Sequence, residues 1–128
     1  MTNRIAADLG CLLAAALAAL LLSACSSSAH SSAPAVAAAT AVASTCEQVG
    51  AVLSDGPDPD ADAVGYAEAQ VLPLRQIHAS NQALRNAIGQ LANAYQAFYA
   101  SGGKSSQAEQ AVAAASTKIN SFCPGAAS

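Results

Sequence analysis

Charged side chains are scarce in this sequence. Asp, Glu, Lys and Arg together make up 10% of its 128 residues, and only five residues are Lys or Arg. After the N-terminal apolar run the cations are Arg75, Arg85, Lys104 and Lys118, spaced singly and not interleaved with aromatics. Nucleic-acid binding needs a basic patch or stripe, so no nucleic-acid partner is expected. Catalytic arrangements are missing as well. There is no Gly-x-Ser-x-Gly turn, Ser/His/Asp arrangement, pair of histidines or dense carboxylate cluster on a helix face. An enzyme needs polar groups converging in a pocket, so the expectation is a non-enzymatic chain without cofactor or metal. Tryptophan is absent, and the aromatics are three tyrosines and two phenylalanines. Mean hydropathy is nonetheless +0.33, carried by the N-terminal run and by alanine. Alanine favours helix but fills little core. Large apolar residues are sparse beyond residue 24, so a thin-cored small domain is expected, of the kind that needs a covalent staple.

The N-terminus is the most specific stretch. Arg4 is followed by an apolar run from Leu9 to Leu22 and by the small residues Ser23 and Ala24. A charged start, an apolar centre of about a dozen residues and a small-residue cut site make a secretory signal peptide. The run is short for a span of about 20 residues. Asp8 is an unusual acid in such a leader. Leu22-Ser23-Ala24-Cys25 resembles the lipobox of bacterial lipoproteins: an aliphatic residue, two small ones and a cysteine. The resemblance implies removal of residues 1–24, a diacylglyceryl thioether on Cys25 and acylation of the new N-terminus. It also implies attachment to the extracytoplasmic face of the cell membrane through that lipid. The alanine-rich character of the chain is similar to that of small lipoproteins of high-GC actinobacteria, a likeness that assigns no activity.

That reading sorts the cysteines. Cys11 falls in the cleaved leader and Cys25 is the anchor. Cys46 and Cys123 remain, in an oxidising setting where a disulfide forms. The alternative is two separate buried thiols. A bridge closing about 80 residues contributes up to about 4.5 kcal/mol in the chain-entropy picture.

Residues 25–44 read as a lipid-anchored tether of Ser, Ala, Thr and Val, with His30 isolated in it and no periodic stripe of large residues. As a flexible coil it would reach about 25 Å. The domain proper is expected over 45–124, with a tail at 125–128. Its first helix should start at Ser44 or Thr45, where Ser44-Thr45-Cys46-Glu47 and Thr45-Cys46-Glu47-Gln48 both fit the capping box. Cys46, Val49 and Leu53 share a face. Asp55-Gly56-Pro57 should stop this helix. The aspartates at 55, 58, 60 and 62 invite a calcium reading, but the EF-hand pattern places its glycine on Ala63 and its bidentate glutamate on Ala69. A proline-stiffened turn capping the next helix is the plainer reading.

From Leu74 onward, Ile77, Asn81, Leu84, Ile88, Leu91, Tyr95 and Phe98 follow at alternating spacings of three and four, a heptad seam. Together with Val64, Ala67 and Val71 upstream, this predicts one long helix from Asp62 to about Ala100, kinked at Pro73. Asn81 in the seam is the kind of residue that sets register in a dimer. The flanking positions lack paired charges, so an intramolecular bundle and a monomer are favoured. His78 reads as a surface or hydrogen-bonded residue, and Tyr95, Phe98 and Tyr99 as the closure of one end of the bundle. Gly103-Lys104-Ser105 echoes a phosphate loop, but Phe98 stands where the companion glycine belongs and a helix precedes it. Ser106-Gln107-Ala108-Glu109 should cap a last helix with the stripe Ala108, Val112, Ala115, Ile119 and Phe122, ended by Pro124 and Gly125 ahead of a short frayed tail.

The sum is an all-α protein: a small antiparallel helical bundle of a short helix, a long Pro-kinked helix and a C-terminal helix, closed by Cys46–Cys123. The role expected is a membrane-anchored interaction or structural module, with an envelope protein as a possible partner. The alternative is a small-ligand-binding lipoprotein.

Overall fold

The computed structural model describes residues 33–127. These residues form four helices, α1 (Ala33–Leu53), α2 (Ala63–Gln76), α3 (Gln82–Ala100) and α4 (Ser106–Phe122). The expected all-α bundle closed by a disulfide is what the structure shows, with four helices in place of three.

The first correction concerns α1. Residues 33–44, expected as part of a flexible tether, are helical, and Thr45 lies within the helix rather than at its cap. The stretch from Ala35 to Ala43 contains six alanines and no glycine, so nothing in it stops a helix. Pro34 occupies the first turn, where a missing N–H costs nothing. The Thr45 hydroxyl donates back to the Ala41 carbonyl (2.9 Å), the behaviour of a threonine inside a helix. Pro34–Thr40 is exposed, while Val49 and Leu53 at the far end enter the core. Ser54 and Asp55 close the helix with bonds to the Gly50 and Val52 carbonyls, and Gly56 turns the chain with φ +111°.

The second correction concerns the long helix. Pro73 sits inside α2, and the break comes later, at 77–81. Ile77 is extended, with ψ 119°. Asn81 caps α3, its side-chain oxygen accepting from the Leu84 N–H at 2.9 Å. Asn81 is therefore an exposed cap and not a seam residue. Asparagine is among the best caps and a poor interior residue, so the backbone gains by breaking there. Arg85 secures the turn, donating to the Ala79 carbonyl at 3.1 Å. Ile77 and Ala79 are buried in the turn itself, which is why the apolar spacing runs on through it.

The turn folds α3 back along α2, so the start of α2 meets the end of α3. Tyr66 and Tyr95 stack edge to face at 5.8 Å, and Gly103 lies against Val64 and Phe98. Gly103 must be glycine on two counts. Its φ is +71°, and a Cβ there would stand 3.1 Å from the Val64 side chain. The Gly103 N–H bonds to the Phe98 carbonyl and that of Gly102 to Tyr99, the two bonds of a Schellman stop. α4 then starts one residue ahead of expectation, with Ser105 as its cap to Ala108 N–H at 3.2 Å.

α3 is the centre of the bundle, packed against α2 and α4. Leu74, Leu84, Leu91 and Ile119 are fully buried, each contributing about 2 kcal/mol. Buried Ala87, Ala92, Ala94, Ala108 and Ala115 let the helices approach closely around them. The expected frayed tail is also corrected. Asn120 exchanges two hydrogen bonds with the Ala127 backbone, at 2.9 and 3.0 Å, and folds residues 124–127 back on the end of α4.

Candidate functional site

Cys25, the residue expected to carry lipid, lies outside the described residues, as do Cys11 and His30. Cys46 and Cys123 are joined in the structure, with Cα atoms 5.2 Å apart and a sequence separation of 77. The bridge links the middle of α1 to the residue ending α4.

The acidic loop resolves into local turn chemistry. The carboxylates of Asp55 and Asp58 accept from the N–H groups of Gly56 (3.0 Å) and Asp60 (2.9 Å), and Asp62 caps α2 by accepting from Gly65 N–H (2.8 Å). Among the described residues no group of three or more His, Cys, Asp or Glu is placed to hold a metal ion. His78 is exposed in the turn between α2 and α3.

Two concave surfaces stand out. The first is an apolar groove of about 770 Å³ between the outer half of α1 and the folded-back tail, lined by Ala38, Ala39, Val42, Ala43, Cys46, Phe122 and Ala126 among others. The second is a cleft of about 330 Å³ where α2, α3 and α4 meet beside the acidic loop. Its walls are Tyr66 and Ala67 of α2, Tyr95 and Phe98 of α3, and Glu109, Val112 and Ala113 of α4, with Pro59 and Ala63 at the rim.

The tyrosines of that cleft are held firmly. The Tyr66 hydroxyl donates to the Leu53 carbonyl at 2.8 Å, tying α1 to α2. Tyr95 is buried and packs edge to face with Tyr66. Burial raises the pKa of both phenols, and the neighbouring Tyr66 adds to the effect at Tyr95. Beside them Gln70, 1% exposed, donates to the Asp55 carbonyl at 2.6 Å and pins the loop over α2.

Of the aromatics expected to close one end of the bundle, Tyr95 and Phe98 do meet at the cleft. Tyr99 points elsewhere, into a shallow surface site with Leu72 and Arg75. Tyr66 and Glu109 were not singled out from the sequence as site residues. Tyr66 could have been found only once the turn at 77–81 was recognised, because that turn is what places it opposite Tyr95. Compared with protein-family models, curated proteins and solved structures, the chain matches none.

Proposed function

We propose that this protein is a membrane-anchored extracytoplasmic lipoprotein whose helical bundle serves as a non-catalytic interaction or structural module. The observation that carries the reading is the stretch Leu22-Ser23-Ala24-Cys25 followed closely by an exposed, uncharged half-helix. No charged residue occurs between Cys25 and Glu47. A segment held close to the hydrocarbon by a lipid benefits from that composition, since charge carried into the membrane interior is costly. The helical part from Ala33 to Cys46 rises about 20 Å, a stalk between the lipid and the bundle where a slack tether was expected. α1 is also long and apolar enough to cross a membrane, with a mean hydropathy of 1.4 over Pro34–Leu53. The disulfide at Cys46 and the burial of Val49 and Leu53 bind it to the bundle instead.

Against a catalytic role, the polar side chains are spent on caps and turns. Asp62, Asn81 and Ser105 each cap a helix, and Asp55 and Asp58 hold the turn before α2. The anchor is tested by Cys25→Ser. Metabolic labelling with a fatty acid should tag the unmutated chain and leave the variant untagged and uncleaved. Equal labelling of both would refute the anchor.

The aromatic cleft favours a second reading, a small-ligand-binding lipoprotein. A thermal-shift screen distinguishes the two, because a ligand bound to the folded state raises the melting temperature by mass action.

A further inference from the structure

The chemistry of the cleft at the α2–α3–α4 junction is narrower than a generic apolar crevice. Three aromatic rings line it, from Tyr66, Tyr95 and Phe98, and Tyr66 and Tyr95 stand nearly perpendicular at 84°. The Tyr66 hydroxyl is already engaged with the Leu53 carbonyl, and Tyr95 is buried against Tyr66. What Tyr66 offers an occupant is therefore ring, not hydroxyl, and Tyr95 places a second ring beside it. Aromatic faces carry negative potential and attract cations, most of all bulky, weakly hydrated ones.

The one carboxylate among the lining residues has the matching sign. Glu109 is exposed and lines the cleft from α4, and its carboxylate has no hydrogen-bonded or ion-paired partner among the described residues. Arg75, Arg85, Lys104 and Lys118 are all absent from the lining. The plainer role for Glu109 is to complement the dipole at the start of α4, which any first-turn acid does. That role explains its position on the helix but not why the rest of the cleft it lines is aromatic. The remaining walls, Ala67, Val112 and Ala113, are small and apolar and have no hydrogen bond to offer a polar ligand. The volume of about 330 Å³ lies at the small end of the range for ligand sites.

We propose that this cleft binds a small organic cation of the methylated-ammonium class, its onium group among Tyr66, Tyr95 and Phe98 and its charge balanced by Glu109. The proposal rests on the ligand-binding reading of the cleft and is independent of the lipid anchor. Free methylated amines and choline-type lipid headgroups share this chemistry.

The test uses the full-length chain in a non-ionic maltoside detergent, with choline as probe and its neutral carbon isostere 3,3-dimethylbutanol as control. Ring signals of Tyr66 and Tyr95 in NMR spectra report occupancy. Choline should shift them in a saturable way in the millimolar range, and the isostere should bind about five-fold more weakly or worse, the ratio one exposed cation–π contact supplies. Glu109→Gln, at an exposed site, should weaken choline about five-fold while leaving the fold intact. Phe98→Leu should do the same, and Tyr66→Phe, which keeps the ring, should bind within about two-fold of the unmutated chain. Phosphatidylcholine vesicles that displace choline assign the headgroup as the source, and vesicles that do not assign the free amine. Isostere binding as tight as choline, unaffected by Glu109→Gln, overturns the cation while leaving a ligand cleft. Unmoved ring signals at about 50 mM choline overturn the proposal outright, since that concentration lies well above any specific millimolar site.

Discussion

Tyr95 shows how a single side chain can couple this fold to pH. Most of it is inside the bundle, 7% exposed, and its ring packs on a second phenol, Tyr66 of α2. An ionised phenolate would lose hydration there and sit beside Tyr66, so the pKa of Tyr95 is raised far above that of an ordinary tyrosine, and that of Tyr66 is raised by burial. In the unfolded chain both ionise near pH 10, by the ordinary value of about 10 for tyrosine. Above that pH the unfolded state holds fewer protons than the folded one, so stability falls as pH rises. Below it the contribution is fully present. The denaturation midpoint should stay level with respect to these groups up to about pH 9 and decline beyond about pH 10. In Tyr95→Phe most of that decline should vanish, and an undiminished decline would show that Tyr95 is not its source. Gln70 makes a complementary point about burial. Its amide N–H holds the loop carbonyl of Asp55, yet its Oε1 is buried with no hydrogen-bond partner among the described residues. Pinning the acidic loop over α2 thus carries a standing desolvation cost.

At the scale of elements, the break between α2 and α3 decides how the molecule closes. A continuous helix would have left the stripe from Leu74 to Phe98 in need of other cover, whereas the turn at 77–81 lays α2 directly on α3. Asn81 holds that turn from its α3 side. Asn81→Ala should lower stability by about 1 kcal/mol through loss of the cap, and Asn81→Gly by only a few tenths, as measured by denaturant unfolding. Because Asn81 lies at an exposed cap and in no seam, neither substitution has a route to a new register, and the sedimentation mass should equal that of the unmutated chain. The same element shows what the sequence could and could not reveal. The spacing of Leu84, Ile88, Leu91 and Tyr95 correctly marked an inward face, as did Ala108, Ala115 and Ile119 on α4. Such spacing records which side chains turn inward but not whether the backbone between them stays helical, and Ile77 and Ala79 turn inward from a loop. The start of α1 was hidden for the opposite reason: small exposed alanines leave no stripe, so its helix shows only in propensity. The Cys46–Cys123 bridge was legible by elimination among four cysteines. The aromatic cleft was not, since its walls come from three helices and its geometry depends on the missed turn.

For the whole molecule the question is how α1 stays attached. α2, α3 and α4 share a continuous core, while α1 adds Val49 and Leu53 to it, with Val42, Cys46 and Val52 packed partly against it. Three further ties hold it: the bond from Tyr66 to the Leu53 carbonyl, the bond from Gln70 to the Asp55 carbonyl, and the disulfide. The first two act at its C-terminal end, so the disulfide is the only one of the three at mid-helix. Closing a loop over a separation of 77 residues is worth up to about 4.5 kcal/mol in the chain-entropy picture, comparable with the whole stability of a small domain. Two outcomes of removing it can be distinguished. If the four helices form one cooperative unit, Cys46→Ser/Cys123→Ser lowers protection against hydrogen exchange everywhere by the same free energy. If α1 is a separate unit docked on a three-helix core, the loss concentrates in α1 and in the tail at 124–127, and α3 amides around Leu84–Leu91 stay close to their original protection. The distribution of buried side chains supports the second outcome, because the fully buried residues other than Val49 and Cys123 come from α2, α3 and α4. Hydrogen exchange by mass spectrometry on the double variant should therefore find residues 33–53 opening while the core helices remain closed. Uniform loss across all four helices would show that the staple holds the whole bundle and not the stalk alone.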